Sequence, residues 1–564
     1  MLSHIENASH RLFLFFIFTF LSIFAIYFIF SGTLSIPFYH HDIYKFSNGG
    51  IHISCRPNDA GYGFLYDIAR PFSAWLDCVN FKFANTLTAM KYFRIICSIL
   101  IGIVMGAFAF WLNLENFCLI CAFCISGAIF CLPALQTTMI MLATNISLSI
   151  FLAFLANILV NKCSLSAIFT QKKQISRYEK WIAFFYFFSG VGCLLISFFT
   201  YPSMSGFYFL PTLVIVLFKP WKEWLTIRGI FIKDVFIFGI VSLLFFLIAR
   251  HIQHTHMGAE ISNLISAYRY QLNFNIAERI VTLIKLIASL WSTNVLLWPY
   301  SLFIYFIIIA GLLVGGLKFF NSDFFKRTKY KASYYLVQRM IAVCVLIIMG
   351  SAFYIAQPEN VLLGRILFIY QAMIIVILAW CLFQLANLFT FKTNAAWTIM
   401  LGGLFFSAAV YTNYVTTKSA LNDNMELNYI TQSIAGYINS GMKLERIHII
   451  SASVDNFNGL PKPDDILNGN STQYAGDMTN IVNAALLQLA QKHSFHLTNC
   501  LFSESEEEHH FADEKKCMFS APKNNIIVTY SRPGKLFYKT PHMLLIDMNV
   551  LAPFAGASKI DLKQ

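Results

Sequence analysis

The feature that most constrains this chain is a recurrence of apolar blocks, each about 15–25 residues long, the length that a helix needs to cross hydrocarbon. In lipid such a block must be helical, because no water is present to satisfy the backbone. Hydrophobic residues form 57% of the 564 positions, and charged residues form only 12%. A soluble domain carries roughly 25% charged residues. The sequence therefore predicts a polytopic all-α membrane protein.

The apolar blocks predict about eleven transmembrane helices. They lie near 12–31, 92–112, 117–135, 138–160, 181–200, 203–218, 234–251, 299–317, 340–356, 366–389 and 397–414. The first block is too long for the apolar region of a signal peptide, and no small-residue cleavage site follows it. We therefore expect it to be a retained span.

Basic residues between the blocks predict the orientation. Even numbers of spans separate three basic loops, which contain Lys162, Lys172, Lys173, Arg177 and Lys180; Lys219, Lys222, Arg228 and Lys233; and Lys318, Lys326, Arg327, Lys329, Lys331 and Arg339. The positive-inside rule makes this side cytoplasmic, with the N-terminus inside and the C-terminus in the periplasm of a bacterial inner membrane. The net charge of +13 is explained by these loops, so we predict no nucleic-acid partner.

Three long segments, 32–91, 252–298 and 415–564, then fall on the outer face. We predict one transmembrane domain over 1–414, which includes the first two of these segments. Residues 415–564 have shorter apolar runs and more charge, which predicts a small periplasmic α/β domain. Its predicted helices cover 424–439 and 479–491, and its predicted strands cover 446–451, 525–530 and 543–548.

Asp42 is the strongest catalytic candidate. It lies shortly after the first span, behind His40 and His41. A carboxylate near lipid is costly unless it has a function or a partner. The structural alternative is an ion pair with Lys45 or Arg70.

Arg365 opens the span 366–389 from the outer side. A helix N-terminus favours an anion, and arginine adds a bidentate partner for phosphate. The alternative is that Arg365 contacts lipid headgroups.

The cysteines and histidines give further expectations. The outer segments contain four cysteines, for which an oxidising compartment permits the disulfides Cys500–Cys517 and Cys55–Cys78. The run Cys118-x-x-Cys121-x-x-Cys124 lies in an apolar span, so we expect packed apolar side chains rather than metal ligands. His251, His254 and His256 are expected to place their polar ring nitrogens in the water at the membrane edge rather than to bind a metal. We expect no cofactor, and a metal requirement stays open.

The first outer segment also contains a set of short motifs similar to those of a known protein family. Its elements are His41-Asp42, Lys45, Gly49-Gly50, Ala69-Arg70-Pro71-Phe72 and Ala74-Trp75-Leu76. With many spans and an outer C-terminal domain, this pattern resembles the GT-C class of lipid-linked glycosyltransferases. Within that class it resembles the serotype-converting O-antigen glucosyltransferases. His41 stands where that family has a first Asp, and Ala69 stands where it has Gly.

The resemblance implies an inverting enzyme that moves a sugar, glucose in that family, from undecaprenyl phosphate to a lipopolysaccharide hydroxyl. Asp42 would be the general base, and Asp59 or Asp67 would supply any second carboxylate. The residues implied to stabilise the leaving phosphate are Lys45, Arg70 and Arg365. Further candidates in the same segment are His40, His41 and Arg56. The partners are the lipid-linked donor, a glycan acceptor and membrane lipid.

Other functions stay open at this stage. An enzyme of the same class could modify lipid A or a protein. A transporter or flippase for lipid-linked sugars would place charged residues at mid-depth in several spans. The predicted span interiors hold almost no charge, which favours chemistry at the outer face. A scaffold protein would need neither Asp42 nor Arg365.

Overall fold

The computed structural model of the chain describes a defined set of residues. These are 2–35, 70–83, 87–132, 135, 144–162, 177–269, 281, 301–322, 325, 329–350, 368–388, 393–450, 482, 485, 489, 497–499, 526–531 and 542–548.

Helices dominate these residues. They are α1 (Leu2–Ile29), α2 (Ser31–Ser35), α3 (Pro71–Phe83), α4 (Leu87–Leu114), α5 (Leu119–Phe130), α6 (Thr144–Lys162), α7 (Arg177–Thr200), α8 (Phe209–Phe218), α9 (Trp224–Arg269), α10 (Ser301–Asn321), α11 (Lys329–Gly350), α12 (Phe368–Ala386) and α13 (Thr393–Asn439). Two 3-10 segments, Pro202–Tyr208 and Trp221–Glu223, precede α8 and α9.

Nine helices in the described part of the chain are long and apolar enough to cross a membrane. Two shorter apolar stretches accompany them, Leu119–Phe130 and Pro202–Phe218. Every predicted span overlaps one of these elements, so the polytopic helical class is confirmed. The exact number of crossings stays a prediction.

The two short stretches lie inside the bundle. Most side chains of α5 and α8 are buried. Pro211 occupies the first turn of α8, where its missing N–H removes little from the helix. Short helices are therefore enclosed by longer ones whose outer faces remain exposed.

Aromatic rings join the inner helices. The ring of Phe108 on α4 lies 5.6 Å from that of Phe154 on α6 and 5.6 Å from that of Phe207. Phe207 in turn contacts Phe130 on α5 at 5.7 Å and stacks on Phe368 of α12 at 6.4 Å. Such edge and offset contacts contribute about 0.5–1.5 kcal/mol per pair beyond the buried area. The phenylalanine rings of the inner helices thus form a contiguous core.

Two glycines allow α1 and α4 to pack closely as antiparallel neighbours. A Cβ on Gly102 would lie 2.6 Å from the backbone of Ile23, and one on Gly106 would lie 2.6 Å from that of Thr19. Small residues four apart are a common helix contact in membranes, because association there depends on close packing.

The bundle has two distinguishable ends. At the first, Asn413 of α13 donates to the backbone oxygen of Ile29, the last residue of α1, at 2.9 Å. Helix α3 lies at this end, which we call the α3 end. At the other end, which we call the opposite end, Lys219 after α8 forms an ion pair with Glu115 after α4 at 2.7 Å. The charge pattern predicts that the opposite end is cytoplasmic.

Beyond its apolar part, α13 continues toward a parallel sheet. The strands are β1 (Arg446–Ile450), β2 (Leu497–Asn499), β3 (Ile526–Ser531) and β4 (Met543–Asp547), in the order β2-β3-β1-β4. The predicted strands at 446–451, 525–530 and 543–548 are confirmed, whereas β2 was not predicted. The predicted division at residue 414 stays a prediction, and α13 runs through it as one helix.

One face of this sheet buries a polar cluster. Arg446 and His448 are two residues apart on β1, so they share a face. Nε of Arg446 donates to Oγ1 of Thr529 on β3 at 2.8 Å, and Nδ1 of His448 lies 2.8 Å from the same oxygen. All three side chains are fully buried. The cluster therefore joins β1 to β3 through buried side-chain contacts.

Candidate functional site

The candidate site is centred on α3. Arg70 precedes the helix and Pro71 begins it, a position where proline is favoured because its N–H would be unpaired anyway. Trp75 and Phe83 are 51% and 72% exposed, whereas Ser73 and Asn80 are buried. The helix thus places Ser73 and Asn80 against the bundle and leaves the rings of Trp75 and Phe83 exposed, as a helix at a lipid interface does.

Two amide contacts fix α3 against α6. Nδ2 of Asn80 donates to Oγ1 of Thr144 at 2.8 Å. Nδ2 of Asn145 donates to Oγ of Ser73 at 2.5 Å, while its Oδ1 accepts from the N–H of Ile146 at 2.9 Å. These contacts bring the first turn of α6 to α3, so α3 has a defined position on the bundle.

Arg70 is the predicted phosphate ligand that falls within the described residues. Its guanidinium carbon lies 4.7 Å from the ring centre of Tyr201, which follows α7. Cation–π contacts of this kind contribute about 0.5–2 kcal/mol. The half-buried Arg70 is therefore oriented by an aromatic surface at the α3 end.

A line of serines holds Tyr201 in place. Oγ of Ser149 on α6 lies 2.9 Å from Oγ of Ser197 on α7 and donates to the backbone oxygen of Tyr201 at 3.1 Å. Oγ of Ser197 lies 2.9 Å from Oγ of Ser205. Buried hydroxyl networks of this kind specify one arrangement of the helices when all members are satisfied. These hydrogen bonds hold the backbone at Tyr201, whose ring lies against Arg70.

Asp77 and Arg94 are charged residues at this end that were not predicted as site residues. Asp77 lies half-buried on α3, and Arg94 is fully buried on α4. Both have interactions within the structure. Arg94 was missed because it lies inside the predicted span 92–112. An ionisable residue within an apolar block is itself a signal of function or of a specific partner, and it could have identified Arg94.

The remaining predicted site residues lie outside the described residues. They are Asp42, Asp59, Asp67, Lys45, Arg56, His40, His41 and Arg365, together with Cys55, Cys500 and Cys517. Their convergence with Arg70 stays a prediction. Cys78 on α3 is disulfide-bonded. Its partner lies beyond the described residues, so the pairing with Cys55 also stays a prediction.

The prediction that the span interiors hold almost no charge is wrong at Asp234. This side chain is fully buried on α9. Its Oδ2 accepts from Thr212 at 2.5 Å, Asn157 at 3.2 Å and Asn161 at 3.3 Å, and its Oδ1 accepts from Tyr208 at 3.2 Å. The predicted span 234–251 placed Asp234 at the membrane edge, whereas α9 begins at Trp224. The structure buries the carboxylate among α6, α8 and α9.

The expectation for Cys118 and Cys121 is also wrong. The two residues form a disulfide across the N-terminus of α5 rather than packing as free thiols. Cys124, one turn further on, is free and buried, as predicted.

Among the described residues, no group of three or more His, Cys, Asp or Glu side chains is placed to hold a metal ion. His251 is exposed, and the side chains of His254 and His256 lie outside the described set. The question of a metal requirement is unchanged.

No family model, no curated protein and no solved structure matches this chain.

Proposed function

We propose that this protein is an inverting membrane glycosyltransferase. It moves a sugar from a polyprenyl-phosphate carrier to a hydroxyl of a surface glycan such as O-antigen, on the outer face of a bacterial inner membrane. The observation that carries the proposal is the position of Arg70. It lies at the start of α3, which exposes Trp75 and Phe83 where lipid would lie and packs Ser73 and Asn80 against the bundle.

The donor in this proposal is a lipid whose phosphate lies at the membrane surface. As the sugar leaves, negative charge develops on that phosphate. A guanidinium stacked on an aromatic ring directs its N–H groups sideways, in the geometry that binds phosphate oxygens in pairs. The guanidinium carbon of Arg70 lies over the Tyr201 ring, 4.7 Å from its centre. Lys45 and Arg365 are further proposed phosphate ligands.

The proposed base is Asp42, which takes the proton from the acceptor hydroxyl as that oxygen attacks the anomeric carbon. Asp59 or Asp67 is the proposed second carboxylate. Because the sugar arrives already activated on a lipid phosphate, the reaction requires no nucleotide site.

The test is sugar transfer by the full chain in proteoliposomes, with a radiolabelled polyprenyl-phosphate glucose donor. We expect Arg70→Ala to lower the rate by about 100-fold, the typical effect of removing one donor to a developing oxyanion. Arg70→Lys should restore only part of it, because lysine cannot bind two oxygens in a plane. Arg11→Ala is the matched control, since Arg11 is an exposed arginine near the start of α1. Equal rates for Arg70→Ala and Arg11→Ala would remove Arg70 from the mechanism.

Two variants test the proposed residues outside the described set. Asp42→Asn should abolish transfer while the protein stays in the membrane, and normal transfer by this variant would exclude Asp42 as the base. Arg365→Ala should raise the donor concentration needed for half-maximal transfer. An unchanged donor requirement would favour lipid contact for Arg365.

A second candidate function is movement of the lipid-linked sugar across the membrane, and one observation favours it. Asp234 places a carboxylate inside a candidate span, as transporters do. Four hydrogen-bond donors already surround it, which supports a structural role instead. Asp234→Asn separates the two: loss of donor translocation with unchanged stability and transfer would favour a transporter.

The acceptor is a separate question. Glycan analysis of cells with and without the gene shows whether the sugar is added to O-antigen, to lipid A or to a protein.

A further inference from the structure

The disulfide between Cys118 and Cys121 lies at the opposite end of the bundle from α3. It spans one turn at the start of α5, with its two Cα atoms 5.1 Å apart. Cys118 is the N-cap of α5 and is exposed, whereas Cys121 is fully buried. The bond therefore has one sulfur that faces outward and one that faces the interior.

The turn that presents Cys118 is well ordered. Nδ2 of Asn113 donates to the backbone oxygen of Phe117 at 3.0 Å, and the N–H of Phe117 donates to the backbone oxygen of Leu112 at 3.2 Å. The ion pair between Glu115 and Lys219 ties the same turn to the segment after α8. Cys118 is thus held at a fixed position on the surface of the bundle.

The predicted location of this bond at the cytoplasmic side bears on its role. The charge pattern predicts that the opposite end faces the cytoplasm, where disulfides are rare and are transient, catalytic or redox-sensing when they occur. A permanent structural bond is not expected there. We propose that Cys118 and Cys121 form a redox-active pair that undergoes thiol–disulfide exchange with a cytosolic dithiol protein of the thioredoxin class.

The exchange is a two-electron transfer in two steps. A thiolate of the reductant attacks Sγ of Cys118, the S–S bond breaks, and its electron pair stays on Sγ of Cys121, which takes up a proton. The second thiol of the reductant then attacks the reductant's own sulfur in the mixed disulfide and expels Cys118 as a thiolate. The reductant ends as a disulfide, and this protein ends with two reduced cysteines.

Neighbouring groups stabilise the reduced form of each cysteine differently. The N–H of Cys121 donates to Sγ of Cys118 at 3.1 Å, and the positive end of the α5 dipole lies beside it, so negative charge that develops on this sulfur during the exchange is stabilised. Sγ of Cys121 lies 3.3 Å from Oγ1 of Thr398 on α13. That hydroxyl gives its hydrogen to the backbone oxygen of Asn394 at 2.7 Å, so it is an acceptor for a reduced Cys121 thiol.

The experiment uses the full chain in inverted and right-side-out membrane vesicles, with reduced thioredoxin as the probe. Thiols are then alkylated and identified by peptide mass spectrometry. We expect Cys118 and Cys121 to become alkylated in inverted vesicles only. The disulfide of Cys78 at the α3 end is an internal control and should remain intact there. Persistence of the Cys118–Cys121 bond in inverted vesicles, or equal reduction in both orientations, would overturn the proposal.

A trapping experiment identifies the attacked sulfur. A thioredoxin variant without its second cysteine should form a mixed disulfide on Cys118, and attachment to Cys121 instead would contradict the geometry. Cys124→Ser is the matched control, because Cys124 is a free cysteine of the same run and should leave trapping unchanged. Thr398→Val should shift the equilibrium about threefold toward the disulfide by removing the hydrogen-bond acceptor, and Thr398→Ser should restore it. An equal shift in both Thr398 variants would exclude this role of the hydroxyl.

Discussion

The buried carboxylate of Asp234 gives a quantitative prediction about stability. It accepts hydrogen bonds from Tyr208, Thr212, Asn157 and Asn161, which belong to α6 and to the segment that leads into and forms α8. Asp234→Ala removes the common acceptor of all four. Interhelical hydrogen bonds in membrane proteins contribute about 0.6 kcal/mol each on average. Four such bonds give about 2.4 kcal/mol, and the polar groups left without an acceptor add about 1 kcal/mol or more.

We therefore expect Asp234→Ala to lower the free energy of unfolding by about 3–4 kcal/mol. Asp234→Asn keeps the shape and one acceptor oxygen, so it should cost about half as much. The assay is unfolding in mixed micelles by added denaturing detergent, followed by tryptophan fluorescence. Glu223→Ala is the matched control, because Glu223 is an exposed carboxylate just before the same helix. A loss below about 0.5 kcal/mol for Asp234→Ala, which is the scale of a surface substitution, would refute this interpretation.

Two further predictions use the same unfolding assay. Gly106→Ala places a Cβ 2.6 Å from the α1 backbone and should lower the free energy of unfolding by about 1–3 kcal/mol. Its control is Gly239→Ala, which should be neutral or stabilising because nothing lies within 4 Å of the new Cβ. Equal effects of the two variants would exclude close packing of α1 and α4 as the cause of the loss. Arg339→Lys keeps the charge but loses the planar contacts to two backbone oxygens at the end of α8 and to the Trp221 ring at 4.3 Å. It should cost about 1–2 kcal/mol, and Arg228→Lys, at a half-exposed arginine, is its control; no difference between the two would contradict the proposed contacts.

The helices of this fold were predictable because lipid imposes a strong and simple rule. A long apolar block must become a helix, so even the short predicted span 203–218, which contains Pro211, falls on a helical stretch. Boundaries were less predictable. The predicted span 340–356 begins at residue 340, whereas α11 begins at Lys329 and includes Arg339, a residue that the charge pattern had assigned to a loop. Hydropathy detects lipid-facing surface and does not detect a polar residue that continues a helix.

The buried polar contacts were the least predictable part of the fold. Asp234 is the first residue of the predicted span 234–251, and only the arrangement of three neighbouring segments explains its burial. The pair Gly102 and Gly106 carried a readable signal, since small residues four apart mark close helix contacts in membranes. At the candidate site Arg70 was predicted from its motif, whereas Asn80 and Thr144 meet across 64 positions in sequence. A contact at that separation leaves no local pattern.

The length of α13 has a mechanical consequence. The helix contains 47 residues, which is about 70 Å at 1.5 Å per residue, roughly twice the hydrocarbon thickness of a bilayer. No proline interrupts it between Thr393 and Asn439. Its first turns contact α5 beside Cys121, and the helix also contacts β4 of the sheet. The helix is therefore one continuous mechanical link between the bundle and the sheet, and the pair Gly402 and Gly403 is the place along it where bending costs least.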